Sequence, residues 1–170
     1  MGTALIDWTA RGMATCCALR WIFVVSRRRG AVTISDAAWW FAGWVLLVVH
    51  VACAFNFQHD WSHAAAYEHT ARRTAEAVGW NWGGGLYFNY ATILVWGADV
   101  VVLVRSRQLK SRAPELWTWC ATAWIGFMLA NATLVFGPGW WWGAAAILVA
   151  TVLVVARVSS RSEIARDPKP

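Results

Sequence analysis

Long apolar stretches alternate with short polar segments along most of this 170-residue chain. Four stretches are long enough for a helix to cross a bilayer, because a rise of about 1.5 Å per residue requires roughly 20 residues for a ~30 Å hydrocarbon core. They occupy residues 36–57, 86–104, 116–136 and 140–158. Since lipid offers the backbone no hydrogen-bond partners, such runs are predicted to be helices. The pattern therefore predicts an all-α membrane protein whose residues 31–158 form a four-transmembrane-helix bundle.

Residues 60–78, between the first two spans, follow a different pattern. They are rich in alanine, and Glu68, Arg72 and Glu76 recur at four-residue steps, which favours a helix. Asp60 or Ser62 is suited to cap its start. One face is predicted to be apolar and comprises Ala64, Tyr67, Ala71, Ala75 and Val78. We expect an interfacial amphipathic helix on the outer surface, with this stripe toward lipid or the bundle.

The basic residues indicate how the bundle is oriented. With the N-terminus in the cytoplasm, thirteen of the fifteen Lys and Arg residues lie on the inner side, and Arg72 and Arg73 lie outside. Both termini are then predicted to be cytoplasmic. The net charge of +6 reflects this topology and attraction to anionic lipid, and no basic and aromatic patch indicates nucleic-acid binding.

The two ends of the chain are predicted to lie outside the spans. Residues 12–26 form an apolar run of only about fifteen residues that contains Arg20. We interpret residues 1–30 as a cytoplasmic or interfacial amphipathic segment. A short extra span, which would place the N-terminus outside, is the alternative. Residues 159–170 are polar and charged, which predicts a disordered cytoplasmic tail.

Tryptophan is unusually abundant, with 15 residues. Many lie near the predicted span ends, where an indole ring prefers the headgroup level. The predicted inner belt comprises Trp39, Trp40, Trp117 and Trp119, and the outer belt comprises Trp80, Trp82, Trp140, Trp141 and Trp142.

Four polar side chains inside the spans are candidate functional groups, because such residues are costly in lipid. They are His50, Asn89, Asn131 and Asp99. The first three are predicted to lie at a similar depth in the outer half and to form a polar cluster. Such a cluster is suited either to hydrogen bonding between helices or to a ligand, quinone or proton site. Asp99 is either a neutral acid or a partner of Arg105.

The histidines raise the question of a metal. His59 and His63 are four residues apart, a spacing that can chelate a metal on one helix face, with His50 as a third ligand if the chain folds back. The alternative is a polar helix face at the interface. Haem held by two histidines would require two within the spans, and only His50 lies there. No cofactor is predicted beyond this possible metal.

The Gly83-Gly84-Gly85 run ends the outer segment. Glycine suits a tight turn that returns the chain to the membrane, or a close approach of a ligand to the backbone. No strand precedes the run, so it does not predict a phosphate-binding loop.

Several motifs of this region resemble a known family. They are VHVACAF (Val49 to Phe55), WSHAAAY (Trp61 to Tyr67), the Thr70/Thr74 pair and WGGGLYFNY (Trp82 to Tyr90). They resemble small multi-pass membrane proteins of bacteria, notably planctomycete-type lineages, a family with no assigned activity. The resemblance implies a bacterial inner-membrane location and no mechanism. It does not extend to the first thirty residues, so an overlong gene start is an alternative for them.

Three functional hypotheses follow. The first is a non-enzymatic accessory or interaction subunit that contacts lipid, a membrane protein partner or a second copy of itself. The second is a metal- or redox-cofactor-binding membrane protein that uses His50, His59 and His63. The third is a small proton-coupled transporter that uses His50 and Asp99. No nucleophile, paired-carboxylate or nucleotide-loop pattern favours an enzyme.

Overall fold

The computed structural model describes residues 2–26, 34–109 and 114–166, and these residues form an all-α structure. The helices are α1 (Gly2–Ser26), α2 (Ile34–Gln58), α3 (His63–Val78), α4 (Gly85–Gln108), α5 (Glu115–Ala130) and α6 (Trp140–Arg166). A π-helical turn, Asn131–Val135, extends α5. Among the described helices, four are long and apolar enough to cross a membrane, namely Asp36–Gln58, Gly85–Gln108, Leu116–Val135 and Trp140–Ser159. The four predicted spans are confirmed, and the chain is a multi-pass, four-span membrane protein.

The N-terminal helix α1 packs along the length of α2. Gly2 lies against Phe57, Gly12 against Leu46, and Cys16 near Gly43, so the two helices are antiparallel. The N-terminus of α1 is therefore at the end of the bundle where α3 lies, which we name the α3 end. This position matches the alternative of an extra crossing helix, although α1 is not among the four helices apolar enough to span a membrane. Which end faces the cytoplasm stays a prediction from the charge pattern.

The core is built around two tryptophans from neighbouring spans. Trp40 of α2 and Trp96 of α4 are each 1 % exposed, and their ring centroids are 4.6 Å apart. Trp96 also donates a hydrogen bond to the Trp40 carbonyl (3.2 Å). Trp40 is thus a core residue, and its assignment to an interfacial belt was wrong, because a buried acceptor satisfies its indole N–H. Trp39 and Trp119 of the same predicted belt are exposed.

The outer helix is shorter than predicted, and its buried face matches the predicted stripe only in part. Asp60 and Trp61 adopt left-handed backbone conformations that end the connection from α2, and the helix begins at His63. The Ser62 side chain caps it by accepting a hydrogen bond from the Ala65 N–H (3.2 Å). The buried residues are Ala66, Ala71 and Thr74. Of the predicted stripe, Ala71 is buried, Tyr67 and Ala75 are half-buried, and Ala64 and Val78 are exposed. Tyr67 and Thr70 pack on the glycine turn before α4.

The last span lies at the edge of the bundle. No residue in the apolar window of α6 is buried, and the helix contacts α1 and the π-helical turn. Such an exposed apolar surface is solvated by lipid in a membrane. The helix continues to Arg166, so residues 159–166 of the predicted disordered tail are helical, and residues 167–170 lie outside the described part of the chain.

Candidate functional site

A cavity of about 550 Å³ lies beneath α3, between α2, α4 and the α5 region that ends in the π-helical turn. Small-molecule sites in proteins have similar volumes, roughly 300–1,000 Å³. Aromatic side chains from several of these segments line it, among them Phe55, Phe88, Trp96 and Phe136. We refer to it as the α3-end cavity. Exposed members of its lining include Arg73 and Trp80 at the α3 end, Phe88 and Asn89 of α4, and Phe127 of α5, so the cavity is open to its surroundings rather than enclosed.

The three polar residues predicted to share a depth all line this cavity. His50 comes from α2, Asn89 from the first turns of α4, and Asn131 from the start of the π-helical turn. Neither asparagine side chain hydrogen-bonds to another residue within the described ranges. The structure therefore brings these residues to one space without joining them to each other, and their amides are free to bind a ligand.

His50 is anchored from α1. Its Nδ1 lies 3.1 Å from the Thr9 Oγ1 and 3.1 Å from the Ile6 carbonyl oxygen. The Thr9 hydroxyl itself lies 2.9 Å from the carbonyl oxygens of Leu5 and Ile6. These contacts fix the orientation of the imidazole, so that α1 positions a side chain of the cavity although the helix contributes little to its lining.

Of the predicted metal ligands, His50 and His59 both line the α3-end cavity and His63 does not, and the three have different contacts. His59 is buried against His69, with ring centroids 5.1 Å apart, while His63 lies beside Tyr87 and Tyr90. His50 contacts α1. Of the residues that the structure describes, no three His, Cys, Asp or Glu side chains are grouped as a metal site. The structure does not bring His50, His59 and His63 together, because α3 begins only at His63 and the left-handed turn separates it from His59.

The helix α3 covers the cavity at the α3 end, and Arg73 anchors it to the segment after the π-helical turn. The Arg73 guanidinium donates to Glu76 Oε2 (3.1 Å) and to the Phe136 carbonyl (3.0 Å), which follows the π-helical turn. Burial and the positive charges near it lower the pKa of His69, with His59, Arg72 and Arg73 acting against Glu76. His69 therefore favours its neutral form at the cavity rim.

The glycine run brings α3 and α4 into contact. A side chain at Gly83 would collide with Tyr67, and one at Gly84 with the Trp82 ring. Gly85 faces the Thr70 methyl group, at 3.2 Å from the position a Cβ would take. The run forms a turn directly before α4, with the Leu86 N–H bonded to the Gly83 carbonyl (3.1 Å). The predicted turn and the close approach of the backbone are thus one feature, which seats α3 over the cavity.

Asp99 belongs to a different site near the opposite end. Its carboxylate accepts hydrogen bonds from the indoles of Trp40 (2.8 Å) and Trp117 (2.9 Å). Arg20 of α1 lies over the Trp40 ring, 5.8 Å from its centroid, and attracts Asp99 electrostatically. The hydrogen-bond partners of Asp99 are therefore Trp40 and Trp117, with Arg20 of α1 as a nearby cation, whereas Arg105 is exposed. Asp99 is remote from His50, since ten residues of α2 separate His50 from Trp40, about 15 Å of helix.

Sequence reasoning missed three residues that shape the cavity. Thr9 was hidden because α1 was placed outside the bundle, and His69 and Arg73 because their partners, His59 and the Phe136 carbonyl, lie outside α3. The spacing of Ala66, Thr70 and Thr74 would have indicated the face that is buried. These small residues at four-residue steps allow a close approach.

No protein-family model, curated protein or solved structure matches this chain. The resemblance to small bacterial membrane proteins therefore stays a prediction from the motifs.

Proposed function

We propose that this chain is a non-enzymatic accessory or interaction subunit of a bacterial inner membrane, and that its α3 end holds a lipid-soluble ligand beneath a surface for a partner. The observation that carries the proposal is the α3-end cavity of about 550 Å³ covered by α3. Its lining is mostly aromatic and aliphatic with a few imidazole and amide groups, which is the usual composition of a binding pocket.

The other side of α3 supports the partner. Glu68 and Arg72 have side chains that are 73 % and 64 % exposed, 3.9 Å apart. The helix that carries them is fixed by the Ser62 cap and by the Arg73 bond to the Phe136 carbonyl. A rigid helix with a mixed-charge face presents defined contacts to a polar surface, which favours specificity.

The two other hypotheses draw less support from the geometry. A metal or redox cofactor on His50, His59 and His63 would require these side chains to converge, and each has different neighbours. Proton coupling through His50 and Asp99 would require a connection between two separate hydrogen-bond networks. Neither is favoured by a specific contact.

Photo-crosslinking in native membranes tests the proposal. A benzophenone amino acid at Phe127, which lines the cavity and is exposed, is compared with one at Ile147 on the lipid-facing helix α6. We expect a defined lipid-soluble adduct at Phe127 and mixed phospholipid at Ile147. A third position, Glu68, is expected to give a discrete protein adduct. The proposal fails if Phe127 and Ile147 capture the same lipid mixture and Glu68 captures no protein.

A further inference from the structure

The contacts of His50 determine which ring nitrogen carries hydrogen. The Ile6 carbonyl oxygen, 3.1 Å from Nδ1, can only accept a hydrogen bond. The Thr9 hydroxyl donates to a carbonyl of its own helix, at 2.9 Å, so its oxygen faces Nδ1 as an acceptor as well. Two acceptors at Nδ1 require a hydrogen there. In the neutral imidazole, Nε2 is then the acceptor.

This Nε2 atom is available to a ligand. It makes no hydrogen bond to any residue in the described part of the chain, and His50 is only half-buried. His50 lines the α3-end cavity while its Nδ1 is held against α1, so the side of the ring that remains for the cavity is the one that carries Nε2. An acceptor in apolar surroundings is costly without a donor, so a ligand with an O–H group gains affinity there.

The rest of the lining indicates what carries that hydroxyl. Phe55, Phe88 and Trp96 line the same cavity as His50 and provide flat apolar surfaces, against which an aromatic ring packs favourably. The Asn131 amide offers a second polar contact, because it can both donate and accept a hydrogen bond. Phe88 and Phe127 are exposed apolar members of the lining on two membrane spans, so that an apolar tail can leave the cavity between the helices into the bilayer.

We propose that the α3-end cavity binds a hydroxyaromatic lipid, a phenol or quinol with an apolar tail, whose hydroxyl donates a hydrogen bond to His50 Nε2. This inference rests on the proposed function, since it names the ligand class of the same cavity. It requires no redox step. The aromatic ring of the ligand lies among the aromatic side chains of the cavity. Thr9 and Ile6 of α1 hold the His50 imidazole so that Nε2 is the acceptor.

Binding to the purified full-length chain in detergent tests the inference. The probes are 4-hexylphenol and 4-hexylanisole, which share ring and tail but differ in the hydroxyl, and calorimetry measures both. We expect the phenol to bind at least tenfold more tightly, because the methyl ether leaves Nε2 unpaired. A short-tailed benzoquinol and its dimethyl ether are the second pair of probes. Comparing the affinity ratio of the quinol to its ether with that of the phenol to the anisole distinguishes a quinol from a phenol as the ligand.

Matched variants locate the hydroxyl. His50→Asn keeps an N–H near the Nδ1 position and lacks the Nε2 acceptor, and His63→Asn is its control because His63 is exposed and outside the lining. The preference for phenol should disappear in the first and persist in the second. Comparing affinity ratios cancels unequal partition of the probes into micelles.

A second pair of variants tests the place of binding. Ala132→Trp adds an indole at a cavity-lining position, and Ala123→Trp adds the same ring to a position of α5 that is equally exposed but outside the lining. We expect binding to be lost in Ala132→Trp alone. Equal affinities of phenol and anisole for the native chain, a preference that survives His50→Asn, or binding that survives Ala132→Trp would each overturn the inference. A protein adduct from α3 would still uphold the proposed subunit role, so the two failures are distinguishable.

Discussion

Replacing Trp40 with Phe is expected to destabilise the bundle by about 2–3 kcal/mol, from two losses that the structure identifies. Trp40 is 1 % exposed and donates a hydrogen bond to Asp99 (2.8 Å). Hydrogen bonds between membrane helices contribute about 0.6–1.7 kcal/mol. The smaller ring also leaves a space against Trp96. Truncating an aromatic core residue to Ala costs about 3–5 kcal/mol, and the smaller truncation of Trp to Phe is expected to cost about a third of that.

Equilibrium unfolding measures this loss. Purified protein in mild detergent micelles is titrated with dodecyl sulfate, and far-ultraviolet circular dichroism follows the helices. Trp39→Phe is the matched control, because Trp39 is the neighbouring residue and is 42 % exposed. We expect its effect to stay within about 0.5 kcal/mol, as for other surface substitutions.

A double-mutant cycle isolates the hydrogen bond. Trp40→Phe made in an Asp99→Leu background should cost less than in the native chain, by a coupling energy of about 1 kcal/mol. The reasoning is refuted if Trp40→Phe and Trp39→Phe have equal effects, or if the coupling energy is zero. The first result would show that Trp40 is not a core residue, and the second would show that its indole does not bond to the Asp99 carboxylate.

Three further predictions concern other parts of the chain. Gly43→Ala should lower the free energy of unfolding by about 1–3 kcal/mol, because the new Cβ would lie 2.7 Å from Trp96 Cζ2. Gly143→Ala, where a new Cβ would have nothing within 4 Å, should raise it by up to about 1 kcal/mol. The same dodecyl sulfate titration measures both variants, and changes of the same sign would contradict the packing. Because the pKa of His69 is lowered in the folded chain, the unfolded chain binds more protons below about pH 6.5. The stability that this residue contributes is therefore complete above that pH and is lost as the pH falls. The free energy of unfolding should depend less steeply on pH in His69→Gln, and an unchanged slope would contradict the prediction. A membrane-impermeant thiol reagent should label Thr3→Cys from the same side as a cysteine introduced in α3, since α1 begins at the α3 end; labelling from opposite sides would contradict this arrangement.

The sequence predicts the four spans closely, because length and composition alone determine whether a helix can cross a bilayer. The cap at Ser62 was also within reach, since a serine before an alanine-rich run is a local signal. Both features depend on neighbouring residues in the chain, and both are found in the structure.

The errors concern contacts between distant segments. Trp40 resembles an interfacial residue until Asp99, 59 positions later, is seen to accept its N–H. The shared cavity of His50, Asn89 and Asn131 follows from their depths, whereas the partners of His50 come from α1, which composition placed outside the bundle. Helical periodicity can indicate which face of one helix is buried, but it does not indicate which face of another helix meets it, so these partners could not be predicted from the sequence.

The position of α1 has a consequence for biogenesis. This helix is synthesised before α2 and α6, yet Thr9 needs His50 of α2, and Arg11 lies over the ring of Trp140 at the start of α6. Its packing site is therefore incomplete until α6 has been translated. The helix is made before its partners and docks fully only after them, and until then its arginines must find temporary partners in water or among lipid headgroups.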